Sequence, residues 1–405
     1  VSSTQFEAST SLTLPYLIAP FGRFENVFDL SNARTRLSLT GLTARNNTLG
    51  LRIRGRGNAQ LRLEMDHTPT RTSLVDVVDV SVSNPDTLRG FSTRVFGPEG
   101  EAIQDPVQRQ QILEDYTRPQ INTALRYTFR SATANPLRRS AGHIYEFSGE
   151  VGNTLPALLD RYVFDLARME YSLPGIRGGR RLLYRPYLRG TADLRRYVPL
   201  GRGATLALKL YGGMAHPIAG PNVVPFDRRF FSGGANSVRG WRLRDLGPGT
   251  AGSVPLDTAG TASTELAALL GGDIKLETSV ELRNTLLRNF LTARWVGATF
   301  LDVGNVWFGP RNPGFGGAEE EGVGTTAALK QVRTMSEDQS GRFQGLSSLQ
   351  DVGVGGGFGI RVEWEYIIVR FDLAYRLHDP SARNDDIFSE SFSGPLLHFG
   401  IGQAF

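Results

Sequence analysis

Between Thr48 and Asp66 the chain holds to a period of two. Leu49, Leu51, Ile53, Ala59, Leu61, Leu63 and Met65 fall on one face of an extended chain, and Arg52, Arg54, Arg56, Asn58, Gln60, Arg62, Glu64 and Asp66 on the other. Alternation of that length fits a β-strand and has no helical rival. It returns near the C-terminus, where Val354, Phe358, Ile360, Val362 and Trp364 alternate with Gly355, Gly357, Gly359, Arg361 and Glu363. Val369, Phe371, Leu373, Tyr375 and Leu377 then stand against Arg370, Asp372 and Arg376. Strands this long exceed the roughly five or six residues typical of globular sheets and suit a tilted transmembrane barrel wall.

Segments of this kind predict about thirteen strands, at 4–15, 33–44, 48–66, 73–83, 119–130, 141–152, 184–196, 204–214, 273–284, 293–306, 353–364, 366–377 and 395–405. From the third onward the connections alternate: those after 66, 130, 196, 284 and 364 are short, and those after 83, 152, 214, 306 and 377 are long. Short turns at one end and long loops at the other are the build of an outer-membrane barrel. A helix is predicted in 153–183, where Leu158, Leu159, Tyr162, Val163 and Leu166 repeat at helical spacing. Alternation also assigns faces. Leu51, Ile53, Phe371, Leu373, Phe399 and Ile401 are expected toward lipid, and Arg52, Arg54, Arg361 and Arg370 toward the lumen, because an arginine at the bilayer midplane costs roughly 2–4 kcal/mol.

Composition by itself leaves a soluble β-rich protein or a transmembrane barrel, whose hydrophobicity escapes window averages because only every second residue meets lipid. Apolar residues make up only 40% of the 405 residues while glycine reaches 47, and no stretch approaches the ~18 apolar residues of a transmembrane helix. Without cysteine there is no disulfide framework and no thiolate metal site. Net charge is +5, carried by 42 arginines and only three lysines, which either reflects a GC-rich genome or builds a charged lumen. Acidic and basic residues are interspersed rather than gathered into basic patches with stacking aromatics, which sets nucleic acid aside as a partner. The chain opens on Val1-Ser2-Ser3 with no signal peptide, so either one was removed or the sequence is internal to a longer protein.

The longest loop, 215–272, carries Arg228-Arg229-Phe230-Phe231-Ser232-Gly233-Gly234-Ala235-Asn236-Ser237-Val238-Arg239-Gly240-Trp241. This resembles the loop motif of the BamA/TamA outer-membrane assembly superfamily, a Val-Arg-Gly-aromatic core preceded by Phe-Phe-x-Gly-Gly. Arg244-Asp245-Leu246-Gly247-Pro248-Gly249 extends the likeness toward the TamA-like lipoproteins (TamL type) of Bacteroidota. Phe300-Leu301-Asp302-Val303-Gly304 resembles the family's Phe-x-Asp-x-Gly strand motif, and 271–282 resembles the strand before it. The terminal Leu397-His398-Phe399-Gly400-Ile401-Gly402-Gln403-Ala404-Phe405 is similar to the targeting strand of outer-membrane barrels, with Phe399, Ile401 and Phe405 on its apolar face.

The resemblance implies an all-β, transmembrane antiparallel barrel of sixteen strands in the intact protein, in the outer membrane of a Gram-negative bacterium. In the family the motif loop joins strands eleven and twelve; five segments follow it here and eight precede it, so three strands and the periplasmic POTRA domains are expected upstream of Val1. It further implies that the loop folds into the lumen and that Arg239 pairs with Asp302 first and Glu281 second. Gly240 would let the backbone approach the wall and Trp241 would pack on it. A guanidinium forked on a carboxylate is short and directional enough to pin a long loop. The implied activity is insertion or translocation of unfolded outer-membrane or secreted protein clients through a weakly paired seam. Outer-membrane lipids and periplasmic or accessory subunits are the implied partners, and no cofactor is called for. The rivals are a two-partner secretion translocator, a passive diffusion porin, and a barrel enzyme. For the last there is no G-x-S-x-G elbow, phosphate loop or H-E-x-x-H, and Gly247-Pro248-Gly249-Thr250-Ala251-Gly252 lies in a loop without the strand and helix that a dinucleotide site needs. The run Glu319-Glu320-Glu321 reads as solvated charge, and His398 as a lumenal wall residue.

Overall fold

A computed structural model describes residues 3–46, 50–89, 91, 106–134, 141–164, 171–175, 179–201, 203–220, 222–250, 270–312, 341–380 and 395–402. Twelve long strands and a short last one form one antiparallel sheet: β1 (Ser3–Leu14), β2 (Asn32–Asn46), β3 (Leu51–Thr68), β4 (Arg71–Thr87), β5 (Gln120–Ala132), β6 (Gly142–Gly152), β9 (Tyr187–Pro199), β10 (Ala204–Pro217), β11 (Ile274–Phe290), β12 (Ala293–Trp307), β13 (Gly353–Glu363), β14 (Ile368–His378) and β15 (Leu396–Ile401). Each pairs with the next in sequence. Two-residue strands β7 (Ser172–Leu173) and β8 (Leu182–Leu183) stand off this path, joined to each other and to β5 through Gln120 and Leu183. Among the described residues β1 pairs only with β2 and β15 only with β14, so the sheet is not closed and β15 is an edge strand.

From β3 onward the connections 69–70, 200–203, 291–292 and 364–367 are tight and 133–141 is of middle length, whereas 88–119, 153–186, 218–273, 308–352 and 379–395 are long. Over that stretch the sheet therefore has a short-turn end and a long-loop end. Before β3 the order is reversed, with 15–31 long and 47–50 short. The predicted helix is present as Thr154–Tyr162, while Leu166 lies outside the described residues. Two further helices, the single turn Phe24–Val27 and Pro106–Thr117, are not predicted by the sequence pattern; the longer one carries no apolar stripe.

Burial follows the alternation most cleanly in the last strands. Arg361, Arg370 and Asp372 are buried on the inner face, and between and beside them Ile360, Phe371, Phe399 and Ile401 are exposed on the outer one. Leu373 is half-buried. In water such an outer face would be a large apolar patch; in a barrel wall it is the surface that meets lipid. The far end of β3 departs from expectation. Arg52 and Arg54 are exposed while Leu51 and Ile53 are half-buried. Between Ile53 and Gly55 β3 carries an extra residue relative to β4, and its register with β2 breaks at the same place. A bulge of one residue exchanges the two faces of the strand beyond it, so the faces read for Arg56 to Glu64 do not extend to residues 51–54.

Candidate functional site

The loop between β10 and β11 returns along its own path. Phe230 and Gly272 exchange two backbone hydrogen bonds of 2.8 Å, and the Leu246 amide donates to the Ser232 carbonyl at 3.3 Å. The tip is closed by the Gly234 amide donating to the Trp241 carbonyl at 3.1 Å and the Gly233 amide donating to Ser237 Oγ at 3.0 Å. Val238, Trp241 and Leu246 pack on one another as a small buried cluster. The tongue thus holds its own shape and presents Arg239 at its apex.

Arg239 is buried against β11, β12 and β14. Its Nε donates to Asp302 Oδ2 at 2.7 Å and its Nη2 to Asp302 Oδ1 at 2.9 Å, a forked pair, and its backbone amide adds a third bond to Oδ2 at 3.1 Å. Nη1 reaches Glu281 Oε2 at 2.8 Å and Asp372 Oδ2 at 3.4 Å. The guanidinium carbon lies 3.4 Å from the centroid of the Phe300 ring, the inward aromatic of the same strand as Asp302. Burial acts to lower the Arg239 pKa, but the hydrogen bond and charge of Asp302, with the charges of Glu281 and Asp372, hold it above its ordinary value. The group is a permanent cation.

Three further arginines complete the cluster. Arg283 Nε donates to Glu281 Oε1 at 2.7 Å, and Arg361 bridges Glu281 Oε2 and Asp372 Oδ1, each at 2.9 Å. Arg370 reaches Asp372 Oδ2 at 3.3 Å, donates to the Ala235 carbonyl at 2.9 Å and bonds Asn236 Oδ1. Glu281 and Asp372 each face three arginines, and Asp302 takes the fork of Arg239 together with the Ser279 hydroxyl, which donates to Oδ1 at 2.5 Å. Charge so paired and hydrogen-bonded is tolerated in a buried site.

The wall is shaped to receive the tongue. A Cβ on Gly355 of β13 would sit 1.8 Å from the Arg239 carbonyl oxygen, so only glycine admits the backbone there. Gly240 has φ +108° and its carbonyl accepts from Arg376 Nε at 2.9 Å. The Trp241 ring lies over Gly353, where a Cβ would come within 2.9 Å of it. The Gly240 amide points to His398 Nε2 of β15 at 3.5 Å. Gly304 pairs with Glu277 across β11 and β12, and Glu277 accepts from Ser232 at 2.8 Å. Phe231 stays further out, its ring 5.5 Å from that of Phe226 and its carbonyl accepting from Lys275 Nζ at 2.6 Å. Phe399 and Ile401 face outward, away from this cluster, and Phe405 lies outside the described residues.

The same loop is held on the opposite stretch of wall. Arg228 pairs with Asp79 of β4 at 3.3 Å and Glu150 of β6 at 3.2 Å. Asp227 accepts from Arg56 of β3 at 2.5 Å and from Asn122 of β5 at 2.8 Å. Arg229 pairs at 2.8 Å with Asp115 of the Pro106–Thr117 helix, which also takes Arg185 from the 153–186 connection. The family resemblance predicts Asp302 and Glu281 as partners of Arg239 but neither Asp372 nor the Asp227–Arg229 anchor. Asp372 was visible as an inward residue; that it meets Arg239 depends on the path of the loop. Among the described residues no group of three or more His, Asp or Glu side chains is placed to hold a metal.

Sheet and tongue together define an integral outer-membrane β-barrel wall with its longest loop anchored on the inner face. A model of the Omp85 superfamily domain matches residues 48–405, and the chain belongs to that superfamily. Among solved structures, BamA from Haemophilus ducreyi lacking POTRA domains 1-3 is 13% identical, with a TM-score of 0.58 over 98% of this chain and 61% of that one. CdiB from Acinetobacter baumannii (12% identity, 98% and 50% covered, TM-score 0.46) and CdiB from Escherichia coli (11%, 98% and 52%, 0.44) are looser likenesses. The chain spans less than two thirds of each of these proteins.

Proposed function

We propose that this chain is the membrane wall of a protein that assembles or translocates other proteins, working through a seam beside β15 that the anchored loop keeps in register. The observation that carries the reading is Arg239, which ties one loop to β11, β12 and β14 at once. A loop so held braces the strands next to the edge while the edge itself stays free to accept an incoming strand by main-chain hydrogen bonds. β15 is short, and the tongue reaches it through the long Gly240–His398 contact. Strands upstream of Val1 would supply the other side of the seam, completing sixteen. The clients would be unfolded outer-membrane or secreted proteins, handled with periplasmic or accessory subunits and surrounding lipid. The Arg244–Gly249 stretch favours the TamL type within the superfamily.

The test is client assembly by the full-length protein in cells. Arg239→Ala should leave this barrel inserted and folded while client barrels accumulate unassembled, and Asp302→Ala should do the same without adding to the first defect. Normal client assembly in an inserted Arg239→Ala protein would overturn the proposal. Large steady conductance from the wild-type barrel would favour a porin instead, against the buried ion pairs that occupy the lumen beside the tongue.

A further inference from the structure

The helix Thr154–Tyr162 has apolar residues on both sides. Its inner side packs Ala157 and Leu159 on Leu173, Leu182 and Tyr184, with Pro156 and Asp160 buried and the Tyr184 hydroxyl donating to Asp160 at 2.5 Å. Its outer side should then be polar, as in any helix lying on a soluble surface. Instead Leu155, Leu158 and Tyr162, one stripe at helical spacing, are 53%, 54% and 71% exposed, and Val163 and Phe164 continue the patch at 64% and 43%. Thr154 and Arg161 occupy the edge of the helix beside the stripe, both exposed. The Arg161 guanidinium lies 5.5 Å from the Tyr162 ring.

The place of this helix in the sheet identifies what covers it. It starts directly after Asn153, and Asn153 is locked to the wall: its amide donates to the Thr123 carbonyl at 2.7 Å, and its side chain bonds the Thr123 amide, Asn122 and the Arg185 carbonyl. Two residues before Asn153, Val151 pairs with Leu125 of β5 and Leu188 of β9. Leu125 and Leu188 are 54% and 46% exposed on the outer, lipid-facing side. Only Gly152, the wall-bound Asn153 and Thr154 separate Val151 from Leu155. The helix packs through Ala157 and Leu159 into the cluster that includes Val82 of β4 and Ile121 of β5, so its apolar stripe adjoins the lipid-facing surface at the long-loop rim.

We infer that the helix Thr154–Tyr162 lies on the bilayer at the long-loop end, with Leu155, Leu158, Tyr162, Val163 and Phe164 among acyl chains. Arg161 and Thr154 stay at headgroup level, the arrangement of an interfacial helix, with tyrosine at the depth it favours. The helix anchors the 153–186 connection to the membrane, and through Arg185 and Asp115 that connection bears on the loop carrying Arg229. The inference depends on the sheet being a membrane wall, so the test carries a control for that.

Residues 1–405 hold no cysteine, so with any cysteine outside them replaced by serine a single introduced thiol takes one spin label. Leu155→Cys, Leu158→Cys, Tyr162→Cys, Arg161→Cys and Leu125→Cys, each in the full-length protein in phosphatidylcholine vesicles, would be compared for collision with oxygen, which partitions into lipid, and with nickel-EDDA, which stays in water. Heat-modifiable gel migration confirms that each variant is folded. The expected result is an oxygen-to-nickel ratio at 155, 158 and 162 close to that at 125 and several-fold above that at 161. A ratio at 158 equal to that at 161 would place the stripe in water and overturn the inference. Shielding of 158 from both reagents would mean that protein covers it, a second copy or another segment, and would overturn it as well. A water-like ratio at 125 would remove the membrane wall itself, and the inference with it.

Discussion

Arg239 and Asp302 meet in a two-point pair, Nε on one carboxylate oxygen at 2.7 Å and Nη2 on the other at 2.9 Å, with both side chains 1% exposed. Removing either member leaves the other buried without its fork: Arg239 keeps Glu281 and Asp372, and Asp302 keeps the Ser279 hydroxyl. Asp302→Ala is therefore expected to cost about 3–5 kcal/mol of loop attachment, more than Asp302→Asn, which keeps an acceptor. Arg239→Lys keeps the charge but cannot make the fork or reach Glu281 at the same time, so it should fall between wild type and Arg239→Ala. Urea titration of the folded barrel in micelles, with Trp241 fluorescence reporting release of the tongue, gives the order. Equal midpoints for Lys and Arg at 239 would show that charge alone holds the loop.

Gly355 predicts a defect with no charge change. An alanine there would put its Cβ 1.8 Å from the Arg239 carbonyl oxygen, and both are backbone positions that cannot swing aside. Gly355→Ala should release the tongue and reproduce the Arg239→Ala defect, while Gly57→Ala, where a Cβ meets nothing within 4 Å, should be near neutral. Protease cleavage within 232–250 in folded protein is the readout. A Gly355→Ala protein as resistant as wild type would mean that the tongue does not touch β13.

These two predictions draw on different depths of the sequence. The wall was legible because every strand meets different surroundings on its two faces, so that the period of two survives in Phe371 against Arg370 and Asp372. Strand ends were less so: β11 runs on to Phe290 rather than 284, since Leu286 and Leu287 follow each other without alternation and the register breaks there. The paired strands Ser172–Leu173 and Leu182–Leu183 are too short to show any period. Arg239 was legible only through a motif. Its third carboxylate, Asp372, and the Asp227–Arg229 anchor depend on how a long loop crosses the interior, which neither spacing nor propensity encodes.

The two anchors should act independently. Arg228 is paired to Asp79 and Glu150, and Arg239 to Asp302, Glu281 and Asp372, with no partner in common. Sites without shared partners add within about 0.5 kcal/mol. Arg228→Ala should cost less than Arg239→Ala, because its side chain is 14% exposed against 1%, and the double variant should show the sum. A sum exceeded by more than 1 kcal/mol would show that the loop transmits strain from one stretch of wall to the other.

Asp245 gives the tongue a dependence on pH. Burial pushes its carboxyl up to about 6, only partly opposed by the charges of Arg376 and Arg242, while an unfolded aspartate titrates near ~3.9. Between those two values the docked loop holds a proton that the unfolded chain has released. The contribution of this group to stability is thus fully present below the unfolded value and is lost as pH rises through about 6. The neighbouring Leu246 packs on Val238 and Trp241, so weakening at Asp245 is felt at the apex of the tongue. Tongue release, followed by Trp241 fluorescence in urea, should need more denaturant at pH 4.5 than at pH 7.5. Asp245→Asn, which cannot ionise, should flatten the curve over that window and hold the loop at pH 7.5 as firmly as at pH 4.5. Arg376 lies 3.7 Å from the carboxylate, so Arg376→Ala should shift the wild-type transition to higher pH. An Asp245→Asn protein with the same slope as wild type between pH 4.5 and 7.5 would assign the dependence to another group.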